Sequence, residues 1–164
     1  MTSQVMDSRH PSGLDRGMTH TLNTESSAID TIDDLSAHNA ESMLRSVLRF
    51  NATTSALGGM AMAIAPAAIG ELLGTGHSGW VRVVGLALLP FAAFVAWVSS
   101  AGRRQISLHT PGIVVGDAGW VAASVATISL GWYSTSGVIA VSAMAAAVGI
   151  FGTLQFVLLG QLSR

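Results

Sequence analysis

After Arg49 the chain carries four apolar stretches of similar length, at roughly 50–73, 80–99, 112–132 and 137–160. A helix needs about 20 apolar residues to cross ~30 Å of hydrocarbon, and each stretch meets that length. Lipid offers the backbone no hydrogen bonds, so only helices or closed barrels can cross it. The stretches are too long for barrel strands and lack strict alternation. Only 10% of the residues are charged while 50% are hydrophobic. A chain so poor in charge cannot cover a water-facing surface, since soluble domains carry about 25%. The connections "GTGHSG", "SAGRRQISLHTP" and "STS" are short, which makes neighbouring spans antiparallel. The fold class is therefore all-α: a polytopic membrane protein, an antiparallel four-transmembrane-helix bundle over residues 43–164.

Residues 1–42 differ in kind. Asp7, Asp15, Glu25, Asp30, Asp33, Asp34 and Glu41 face only Arg9 and Arg16. Such a segment buries too little apolar surface to offset its ordering entropy, and the expectation is a mostly disordered polar tail. Ile29, Ile32, Leu35, Met43 and Val47 form an interrupted stripe, which allows an interfacial helix over 28–48. An upstream extension, with Met18 or Met43 as later starts, is the plainer reading of the tail.

Orientation follows from the arginines, which supply all eight basic residues. Arg45, Arg49, Arg103, Arg104 and Arg164 fall on one side of the spans and Arg82 on the other. The positive-inside bias puts the N-terminus, the middle loop and the C-terminus in the cytoplasm. Trp97 and the group Trp80, Trp132 and Tyr133 then fall near the two interfaces, where amphipathic rings prefer to be.

One carboxylate, Asp117, lies inside the third stretch. Counted from Gly112 it sits about 7 Å into the cytoplasmic leaflet. Gln155 lies at the same depth from the end of the fourth stretch, and Asn51 opens the first. Ser99 and Ser100 close the second. The expectation is one shallow polar layer, with Asp117, Asn51, Gln155 and Arg49 as candidates for a ligand or proton site. Polar residues in spans also serve as interhelical glue at ~0.6 kcal/mol each, so structural pairing of Asp117 is the rival reading. An ionisable residue within a span points to function by default.

Glu71 ends the first stretch and Arg82 starts the second, a candidate structural ion pair across the hairpin. Exposed pairs of this kind contribute ~0–1 kcal/mol. Small residues recur every fourth position at Ser55, Gly59, Ala63 and Ala67, and at Gly119, Ala123, Thr127 and Gly131, which suits close helix packing. Pro66 and Pro90 interrupt the first two stretches and are expected to kink them.

The sequence holds no H-E-x-x-H, G-x-S-x-G or Walker A pattern. With no cysteine and no histidine in the four stretches, neither a metal site nor paired-histidine haem ligation is expected. No catalytic residue and no cofactor is assigned, and the net charge of −1 argues against nucleic acid. The segments "LRFNATTSALGGMAMAIAPAAIGELLG", "VRVVGLALLPFAAFVAWV" and "VVGDAGWVAASVATI" resemble small four-helix bacterial membrane proteins, broadly DoxX-like. The resemblance covers about Arg45 to Arg164, rests on span layout, and implies architecture and a bacterial inner membrane. The functional expectation is an accessory or interaction subunit of a membrane assembly. Its partners would be the lipid bilayer and either a second copy or a membrane protein. The alternative is a small-solute or proton-coupled transporter or channel with a cytoplasmic-side polar vestibule; it would need a continuous polar path, and the dry outer halves of the spans favour the accessory subunit. A lipid- or quinone-handling enzyme ranks third.

Overall fold

One proline, Pro66, marks a helix break, while Pro90 and Pro111 lie within helices. The computed structural model describes residues 13–162, with side chains from Leu35 onward. Among the described residues every regular element is an α-helix: α1 (Gly13–Ile64), α2 (Pro66–Leu73), α3 (Ser78–Ser100), α4 (Arg103–Ser129) and α5 (Thr135–Leu162). By length and composition α3, α4 and α5 can each cross a membrane. The Leu35–Ile64 part of α1 is long and apolar enough together with α2, as one span bent by 103°.

The bend lies at Ala65, φ −124° and ψ 53°. A residue before proline is pushed out of the helical region, and Pro66 then takes the first position of α2, where its missing N–H costs nothing. The expected mid-span kink at Pro66 is thus a full break, and the span expected at 50–73 ends as a helix at Ile64. α3, by contrast, runs unbroken through Pro90. At its far end α2 closes on Gly74, φ 65°, with Thr75 N–H donating to Gly70 O at 2.9 Å. The left-handed conformation favours glycine there.

Two expectations about the tail change. Residues 13–42, assigned to disorder from composition, belong to α1, and residues 1–12 lie outside the described residues. No separate interfacial helix covers 28–48. The segment between Pro11 and Pro66 is free of proline. Extending a formed helix adds one hydrogen bond per residue without a new nucleation cost. The chain divides into two units, Met1–His38 and Asn39–Arg164, so the boundary falls before Asn39 rather than after residue 42. Among the described residues every buried side chain belongs to the second unit.

The third span also starts earlier than its apolar run. α4 begins at Arg103, so most of the segment assigned to a loop is helical and only 101–102 connect α3 to α4. Arg, Gln, Ile and Leu are adequate helix formers; polarity ended the apolar run without ending the helix. His109 therefore lies inside α4, contrary to the expectation that no span holds a histidine. It packs with Trp97 and Phe94, ring centroids 5.4 and 5.7 Å away.

At one end of the second unit α1, α3, α4 and α5 pack around Leu44, Leu48, Val95, Val98, Ile106 and Ile113, all fully buried. Arg45 fastens this end. Its Nη1 donates to Ser99 O at 2.9 Å and Ala101 O at 2.7 Å, carbonyls at the end of α3, and its Nη2 meets Glu41 Oε1 at 2.7 Å. Arg103 Nε lies 3.9 Å from Glu41 Oε2. At the other end Leu73 O of α2 accepts from Ser134 N–H at 3.1 Å, and Gly137 of α5 approaches Leu73 so closely that a Cβ has no room.

α1 and α3 cross at Gly59 and Gly85. A Cβ on Gly85 would lie 2.7 Å from Ala63 N and 2.8 Å from Gly59 O. Backbone atoms cannot move aside cheaply, so Gly85→Ala should lower stability by about 1–3 kcal/mol. Thermal unfolding in mild detergent, followed by helical circular dichroism, measures this. Gly112→Ala, where a Cβ meets nothing within 4 Å, should show no loss.

Candidate functional site

Three helices each send one polar side chain to a common point. Asp117 comes from α4, Asn51 from α1 and Gln155 from α5, and all three are buried. Asn51 Nδ2 donates to Asp117 Oδ2 at 3.0 Å and to Oδ1 at 3.3 Å. Gln155 Nε2 donates to Oδ2 at 3.1 Å. Ser55, one turn on from Asn51, donates its hydroxyl to Asn51 Oδ1 at 3.3 Å, which holds that amide with its nitrogen towards the carboxylate. Gly152 of α5 faces Asp117, with room for a Cβ at ordinary contact distance, 3.5 Å from Asp117 Cβ. Gln155 Oε1 is buried and has no hydrogen-bond partner among the described residues.

Within α4 the cluster lies further from the helix start than the apolar stretch implied. Asp117 falls near the midpoint of α4, about 21 Å along the axis from Arg103. The other expected members of the layer stand apart. Arg49 is exposed, and its side chain makes no ion pair or hydrogen bond among the described residues. Its neighbour one turn earlier, Arg45, is the arginine that reaches a partner, and it takes the carbonyls ending α3. Ser99 turns its hydroxyl onto Ala96 O at 2.7 Å within α3. Thr110 and Ser124 likewise donate within α4, at 2.7 and 2.9 Å. Such back-bonding satisfies a hydroxyl locally. α3 thus contributes no group to the cluster.

The expected ion pair of Glu71 with Arg82 is not formed. Both residues are exposed and unpaired among the described residues. The 103° bend gives α2 a direction of its own, so Glu71 does not sit on the end of a span facing Arg82. An exposed pair would gain too little to redirect either chain.

Space lies beside the cluster. A cavity of about 420 Å³ has Asp117 in its wall, with Phe50, Phe91, Trp120 and Phe151 around it. The Phe50 and Phe151 rings meet edge to face at 5.4 Å. Phe91 reaches the cavity over Gly116, where a Cβ would touch its ring at 3.0 Å. A second cavity of about 440 Å³ adjoins the first along Gly58, Met62, Trp120, Ala123 and Met144. It extends to Thr75, His77, Trp132 and Tyr133 at the hairpin end, where His77 stacks on Trp132 at 5.5 Å. The packed core therefore lies on the Arg45 side of Asp117, and open-sided cavities lie on the other. The expected polar vestibule was placed on the arginine side, whereas these cavities lie on the other side of Asp117 and have mostly apolar walls. The small residues Gly119 and Ala123, expected to admit a neighbouring helix, line this space instead.

Fold and site together define a class: an all-helical protein with three to four helices long enough to span a membrane, holding a buried carboxylate between two amides. No protein-family model, curated protein or solved structure matches the chain.

Proposed function

We propose that the chain is a four-pass protein of the bacterial cytoplasmic membrane that binds a small ligand in these cavities. The helices form an antiparallel bundle, and both termini face the cytoplasm. The arginine distribution and the DoxX-like span layout support this arrangement. The cavities then lie towards the outside, and Asp117 stands at their inner end. One observation carries the reading: two adjoining cavities lead from the hairpin to a buried carboxylate and stop against a packed core. Cavities of this size, about 300–1,000 Å³, with few polar groups in apolar walls, are what small-molecule sites look like. An ionisable group inside a span fits the same role. A ligand-binding role is thereby favoured over the accessory subunit, which asks nothing of the interior.

Retained small molecules test this reading. The protein is purified in mild detergent, extracted, and its extract compared with that of Ala123→Phe, which fills the junction of the two cavities. A molecule that co-purifies with the unmodified protein and is lost from a folded Ala123→Phe supports the proposal. A stoichiometric protein partner, with identical extracts from both forms, overturns it in favour of the accessory subunit. The topology has its own check. A reporter fused after Arg164 should be cytoplasmic and one placed within 74–79 external; a C-terminus on the far side would reverse the assignment.

A further inference from the structure

We infer that the cavity beside Asp117 takes a monovalent organic cation with an apolar body, seated between the carboxylate and the rings of Phe50, Phe91, Trp120 and Phe151. The inference rests on the proposal that this cavity is a ligand site, and it names the ligand's chemistry.

Charge balance is the first argument. Among the described residues the ion pairs near the helices belong to Glu41, and no arginine or histidine reaches Asp117. The carboxylate has two amide donors, both neutral. Buried charge is costly unless it is paired as well as hydrogen-bonded. The fold supplies the hydrogen bonds and no countercharge, so the carboxylate is met by a proton when the cavity is empty and by a cation when one is bound.

Hydrogen-bond polarity is the second. Both amide nitrogens are turned onto the carboxylate, and the hydroxyls of Thr54 and Ser55 donate back into α1 at 3.0 and 3.3 Å. Gln155 Oε1, buried and without a partner among the described residues, is again an acceptor, although Gln155 does not line the cavity. In the wall the charged group is the Asp117 carboxylate, the hydroxyls are engaged, and the indole N–H of Trp120 is the donor left over, so the site favours a cation over an anion.

The walls are the third. Aromatic faces attract cations by ~0.5–2 kcal/mol each, more strongly away from water. Four aromatic residues and one carboxylate suit an alkylated or arylated ammonium or phosphonium. A hard metal cation prefers six or more oxygens, and the described residues gather no three acidic or histidine side chains. Met62, Leu88 and Met144 give the remaining wall an apolar, adaptable surface for the rest of the ligand.

Equilibrium dialysis in mild detergent decides it, with tetraphenylphosphonium as the cation and triphenylphosphine oxide as a neutral relative. The expected result is saturable binding of the cation to the unmodified protein, about tenfold or more tighter than the neutral compound. Asp117→Asn should abolish that preference, a loss of ~1.4 kcal/mol or more by the same ratio. The comparison of the two probes on the unmodified protein stands even if Asp117→Asn fails to fold. Equal binding of both probes, lost together in Ala123→Phe, overturns the cation and leaves the cavity as a ligand site. Binding that is non-saturable and unchanged in Ala123→Phe overturns both the cation and the site.

Discussion

Asp117→Leu should lower the thermal stability of the purified protein more than Asp117→Asn. Leucine removes the acceptor that Asn51 Nδ2 and Gln155 Nε2 share. Two buried amides then lack a partner, at about 1–3 kcal/mol each. Gln155 already carries one unsatisfied atom, so Leu leaves its whole amide unpaired. Asparagine keeps the shape and one carbonyl acceptor. It retains the bond from one amide and brings its own NH₂, which can meet Gln155 Oε1 if that side chain turns. The expected order of unfolding temperature is therefore Asp, then Asn, then Leu. Asn falling as far as Leu would mean that the negative charge, and not the hydrogen bonding, holds α1, α4 and α5 together. Thermal unfolding in one detergent at fixed pH reads the order directly.

The same three residues show how much the sequence carries. Their convergence was legible because three of the four apolar runs hold a strongly polar side chain near the same end. Helical rise converts a distance from that end into depth. The position along α4 was not legible, because the helix start was not. Each run was measured from its first apolar residue, while α4 continues through "RRQISLHT" to Arg103. Hydrophobicity marks the lipid-facing part of a helix, and hydrogen bonding continues past it.

The cavities were illegible for a different reason. Gly119 and Ala123 have the spacing of a packing face, and that spacing is the same whether a helix or a void lies opposite. What lies opposite depends on α1 ending at Ile64 and α2 leaving at 103°. Pro66 signals a disturbance, but Pro90 carries the same signal and α3 runs straight through it. The outcome is set by whether the preceding residue can leave the helix. At Ala65 it does. The Glu71–Arg82 expectation failed with the same step, since its geometry presumed that α1 continued to residue 73.

Arg45 was in view only as part of the topological bias, and its replacement carries the second large effect. Arg45→Met should destabilise the protein by about 2–3 kcal/mol, on the scale of a lost charge-assisted hydrogen bond. The guanidinium reaches Ser99 O and Ala101 O through one nitrogen and Glu41 through two others. Methionine matches much of the apolar stem and none of the donors. Two carbonyls at the end of α3 then lose their partner, as helix ends do without a cap. Glu41 keeps only Arg103, at 3.9 Å. Lysine is the informative comparison. It restores the charge but cannot span two carbonyls and a carboxylate with one nitrogen. Arg45→Lys should therefore recover part of the loss. Arg49→Met, one turn away and exposed, should cost nothing measurable. Glu41→Gln separates the two roles of the guanidinium. It weakens the ion pair, partly exposed and worth ~0–1 kcal/mol, while the carbonyl contacts remain. If Glu41→Gln costs as much as Arg45→Met, the ion pair and not the capping of α3 is what joins α1 to this end of the bundle.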